Sequence, residues 1–72
     1  MPPKIRDLKA DLKKAGFIRE SGKRSHTNWR HALLPAERIT LSGHDGDDAR
    51  HYHVDAVRAA LAKLRDVREG KL

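Results

Sequence analysis

Apolar residues recur at spacings of three and four near the start of the chain, at Ile5, Leu8, Leu12 and Ala15. In a helix that spacing gathers side chains on one stripe, so the pattern predicts an amphipathic helix over residues 3–15. Pro2 and Pro3 suit its start, because proline tolerates the first helical position. Lys13 and Lys14 fall at the negative end of the helix dipole, and Gly16 can take the left-handed conformation that ends a helix. The period then shortens to two. Residues 17–20 read as a strand, and residues 21–23 as a turn. Over residues 25–31, Ser25, Thr27, Trp29 and His31 point one way, and His26, Asn28 and Arg30 the other. Leu34-Pro35-Ala36 reads as a connection, and residues 38–41 as a third strand. Ser42 to Arg50 is a polar loop. Beyond it Val54, Val57, Leu61 and Leu64 return to helical spacing, predicting a second amphipathic helix over about residues 53–67.

The order is therefore α-β-β-β-α, an α+β fold in one domain covering residues 1–72. Three strands with short links form an antiparallel meander, and both helices must bury their stripes on one face of it. Trp29, Ile39 and Leu41 supply the sheet side of that core. With Trp29 inward, His26, Asn28 and Arg30 face outward on the second strand, and Arg38 and Thr40 on the third. A register slip of one residue would exchange the two faces.

Charge sharpens this picture. Lys and Arg number 16 against 10 Asp and Glu. Residues 1–30 carry nine basic and three acidic side chains, whereas residues 31–72 carry seven of each. A basic excess confined to one part of a small domain points to a polyanionic partner, although a solvated basic surface has the same composition. The 72 residues contain no cysteine, which excludes disulfides and thiolate metal sites and fits a reducing compartment. No apolar run approaches a membrane span, and the N-terminus lacks the apolar stretch of a signal peptide. The expectation is a soluble cytoplasmic protein without a membrane partner.

The outward face would hold one imidazole among cations and hydrogen-bond donors. Cleavage of RNA requires a base to take the 2′-hydroxyl proton and donors to stabilise charge on the phosphorane oxygens. Histidine suits the proton step, since its ordinary pKa of about 6.5 lies near neutrality. An exposed strand histidine with no chemical task fits the same pattern. His31, on the Trp29 side, reads as an edge or core histidine. Tyr52 could stack on a base or pack against the start of the second helix. Residues 44–53 gather histidines and aspartates, but their spacing matches neither an EF-hand loop nor a zinc helix motif. They read as a solvated loop before a helix N-terminus, and no metal or cofactor is called for.

Gly16-Phe17, then Ser25-His26, the aromatic Trp29 and His31 resemble the HicA family of toxin–antitoxin systems. The similarity runs from Lys4 to about Leu64 and includes Ile39-Thr40-Leu41 followed by Gly43-His44. It implies a fold like that of double-stranded RNA-binding domains and the activity of a ribosome-independent mRNA interferase. It makes His26 the catalytic acid or base, because the family's essential histidine follows a Gly-Ser pair. This chain departs from that pair by carrying Arg24 in the glycine position, which restricts the backbone and offers a phosphate contact instead. Lys23, Arg24, Ser25, Asn28 and Arg30 are the expected RNA-binding residues, with Lys9 or Lys13 as further phosphate contacts. The implied partners are mRNA and a cognate HicB-type antitoxin protein. The alternative is a non-catalytic RNA-binding module of the same fold. A further possibility is a subunit whose basic face meets only an acidic protein.

Overall fold

In the computed structural model, residues 2–20 and 26–70 are described. The order is α1 (Ile5–Lys14), β1 (Ile18–Glu20), β2 (Thr27–His31), β3 (Leu34–Leu41) and α2 (His51–Arg68). The strands form one antiparallel sheet in the order β1-β2-β3. This is the α-β-β-β-α layout expected from the periodicity.

Both helices cover the same sheet face. Ile5, Leu8 and Leu12 of α1 and Val57, Ala60 and Leu64 of α2 join Phe17, Trp29, Leu34, Ile39 and Leu41 in one core. Trp29 is the largest fully buried side chain. Burial of an indole requires a partner for its N–H, and Trp29 Nε1 donates to Thr27 Oγ1 at 3.0 Å. The inward set Thr27, Trp29 and His31 is buried as the alternation predicted. On α2 the buried line is His53, Val57, Ala60 and Leu64, with Val54, Leu61 and Val67 at its margin. The stripe is thus rotated from the one drawn through Val54 and Leu61. Ala60 lies in the core line, and His53 enters it because both ring nitrogens find partners.

Two local expectations are corrected. Leu34-Pro35-Ala36 is not a connection. The link is Ala32-Leu33, and β3 already begins at Leu34, which pairs with His31. The register shifts between Trp29 and His31, so β3 carries extra residues there. An irregularity on an edge strand is a place where proline, lacking an N–H, is accommodated. Pro2 and Pro3 precede α1 instead of opening it. Lys4 is the extended N-cap, with φ −85° and ψ 158°, and the Pro3 carbonyl accepts from the Ala49 N–H at 2.8 Å.

The polar loop also has a different role from the expected one. Its aspartates do not simply precede α2; the loop closes over the N-terminus of α1. The Asp47 carbonyl accepts from the Ile5 N–H at 2.9 Å, and the Asp45 carbonyl from the Arg6 N–H at 3.2 Å. These are among the N–H groups that a helix start leaves without internal partners. Lys4 pairs with Asp48, and Lys9 with Asp45. Among the described residues no group of three or more His, Asp or Glu side chains is placed to hold a metal ion. No described helix is long and apolar enough to cross a membrane.

Candidate nucleic-acid interface

The sheet face away from the helices is built by alternation and register together. Ile18 pairs with Arg30, Glu20 with Asn28, and Asn28 with Thr40. Side chains of paired residues share a face, so Ile18, Glu20, Asn28, Arg30 and Thr40 stand together. Their chain neighbours Thr27, Trp29, Ile39 and Leu41 lie buried on the opposite side.

His26 directly precedes β2 and is exposed. Among the described residues no partner lies within hydrogen-bond distance of its ring. Two residues on, Asn28 accepts at Oδ1 from the Thr40 hydroxyl at 2.7 Å. That bond orients the amide and leaves its NH2 group to donate elsewhere. Arg30 and Arg38 both converge on Glu20. Arg30 Nη1 lies 3.1 Å from Glu20 Oε2, and Arg38 Nε 3.9 Å from Glu20 Oε1. Two guanidinium groups on one carboxylate retain a net positive charge and unused N–H donors. The arrangement can attract a phosphate, hydrogen-bond its oxygens, and offer an imidazole at one end of the row.

Of the sequence-predicted site residues, Asn28 and Arg30 are brought to one face, and His26 is exposed at the head of their strand. Lys23, Arg24 and Ser25 lie outside the described residues. Glu20 was missed: its alternation with Ile18 was visible, but its place between two arginines follows only from strand register.

His31 is excluded from this face. Its Nδ1 accepts the Leu33 N–H at 3.0 Å, so the proton of the neutral ring is on Nε2. Nε2 lies 3.3 Å from the Ala15 carbonyl and donates to it. The ring also packs edge-on against Phe17, with centroids 5.0 Å apart. These interactions tie the β2–β3 turn to the end of α1. Tyr52 is 60% exposed and its ring lies 4.3 Å from that of His53.

His53 is buried at the start of α2. Its Nδ1 accepts the Arg50 N–H at 3.3 Å, and Nε2 stands 3.2 Å from Ser42 Oγ. Burial holds its pKa below the ordinary histidine value, assisted by the Arg50 charge. It is a neutral structural group on the helix side of the sheet. No family model matches the chain, and neither a curated protein nor a solved structure matches it.

Proposed function

We propose that the protein is an RNA-cleaving toxin of the HicA type, acting through His26 on single-stranded or loosely structured mRNA. One observation carries this reading: the sheet face left uncovered by the helices gathers Arg30, Arg38 and Asn28 beside exposed Ile18, with exposed His26 at the head of the strand that bears Asn28 and Arg30. His26 takes the proton of a ribose 2′-hydroxyl. The 2′-oxygen forms a bond to the adjacent phosphorus, and the phosphorus–O5′ bond breaks. The products are a 2′,3′-cyclic phosphate and a 5′-hydroxyl, the latter protonated by the imidazolium or by water. Arg30, Arg38 and the Asn28 amide stabilise the charge on the non-bridging oxygens. Lys23, Arg24 and Ser25 would extend the phosphate-binding row from the segment before His26. A HicB-type antitoxin would restrain the activity by covering this face.

The test is incubation of end-labelled mRNA with the purified protein in EDTA, beside the His26→Ala variant and a DNA control. The expected result is cleavage of RNA only, abolished in the variant. Intact RNA that is nonetheless bound by the folded wild type would replace the reading with a non-catalytic RNA-binding module.

A further inference from the structure

A second cationic site lies on the other side of the sheet edge. Arg6, Lys9 and Lys13 follow one another at spacings of three and four, so they share a flank of α1. Arg19 pairs in register with Trp29, which turns it to the helix side of β1. These four side chains, with Ala10, Trp29 and Asp45, line an open cleft of about 280 Å³. Asp45 is the one acidic residue of the lining and stands against four cations. The cleft therefore keeps an excess of positive charge.

We propose that this cleft is a second phosphate site, which seats a phosphodiester of an RNA strand crossing the β1 edge, and that the Asp45 carboxylate is the group this phosphate displaces. The proposal rests on the RNA-cleaving reading and extends it. Asp45 already occupies the position of an anion. It accepts from Lys9 Nζ, and Lys9 is the most enclosed of the paired cations, its side chain 18% exposed. The Lys9 hydrogen bond and charge, followed by Arg19 and Arg6, hold the Asp45 carboxyl below its usual pKa. Those three cations thus act on one point. The carboxylate itself is 65% exposed, so a phosphate can replace it without opening the core.

The loop would survive that exchange. The Asp45 carboxylate would give up Lys9, but its backbone carbonyl, which accepts the Arg6 N–H, still fastens the residue to α1. The position at the sheet edge favours a strand over a small anion. β1 is a three-residue edge strand, with Ile18 and Glu20 on the Arg30 side and Arg19 on the cleft side. A polynucleotide can pass over that edge and touch both faces, whereas a lone phosphate would touch one.

The test is binding of a labelled single-stranded oligoribonucleotide in the His26→Ala background, read across a salt series, with folding of each variant checked by circular dichroism. Asp45→Asn is expected to tighten binding severalfold. Arg19→Ala with Lys13→Ala is expected to weaken it, with a salt slope shallower by about 0.7 for each phosphate no longer neutralised. If the parent binds RNA and neither change alters affinity, while Arg30→Ala weakens it, the cleft is not a phosphate site and the function proposed above stands. A parent without RNA affinity at low salt overturns both. Tighter binding of a labelled acidic peptide than of RNA, abolished by Arg19→Ala, would make the cleft a protein-docking site and overturn the proposal.

Discussion

The Nε2–H of His31 bonds the Ala15 carbonyl at 3.3 Å and so joins the β2–β3 turn to the last turn of α1. The same carbonyl accepts from Arg68 Nη2 at 3.0 Å, so the end of α2 meets the other two elements at one oxygen. A residue held at both ring nitrogens, on the helix side of the sheet, has a structural task. His31→Ala should cost about 2–3 kcal/mol of stability, because two hydrogen bonds disappear and a small cavity opens. Thermal unfolding and RNA cleavage, measured per folded molecule, check this: the midpoint falls and cleavage is unchanged. A variant of native stability that no longer cleaves would place His31 in the chemistry.

Gly16 is required beside that ring. Its φ of +97° lies in the left-handed region, and a Cβ there would approach His31 Nε2 to 3.2 Å. Gly16→Ala is expected to destabilise by about 1–2 kcal/mol from backbone strain and this close approach. In the His31→Ala background the cost should be smaller, because the ring is absent. A double-mutant cycle with no coupling would contradict the packing described.

Burial lowers the His53 pKa, with Arg50 adding to the effect, and the sign of the resulting pH dependence follows. The folded protein favours the neutral ring, whereas the unfolded chain takes up a proton as the pH falls through about 6.5. The stability contributed by His53 is therefore complete above about 6.5, declines below it, and levels off once the folded-state pKa is passed. Urea unfolding across this range should show the decline in the wild type and a flatter profile in His53→Gln.

Glu20 draws Arg30 and Arg38 together and partly neutralises both. On the proposed function these arginines meet phosphate, and Glu20→Gln removes the competing carboxylate. RNA affinity should rise and its salt dependence steepen by up to about 0.7 for each further phosphate neutralised. Folding stability should move by less than about 1 kcal/mol, since exposed ion pairs contribute little. Filter binding across a salt series, with a parallel denaturation curve, reads both quantities. Unchanged affinity would separate these arginines from the RNA path.

The sequence by itself determined the element order and which face of β2 enters the core. The reason is local: apolar spacing of three and four can be buried only as a helix stripe, and alternation around Trp29 can be buried only as a strand face. His26 was legible because alternation set it opposite Trp29, and Asn28 and Arg30 followed from the same rule. Tertiary structure decided how distant segments join. The loop that looked like metal ligands or α2 capping closes on α1, because unpaired helix N–H groups take carbonyls from wherever the chain brings them. The start of β3 at Leu34 was obscured by Pro35, which a bulged edge strand tolerates. Glu20 between its arginines, and Arg19 beside Lys9 and Asp45, depend on register and on how α1 lies across the sheet. No single segment encodes those relations.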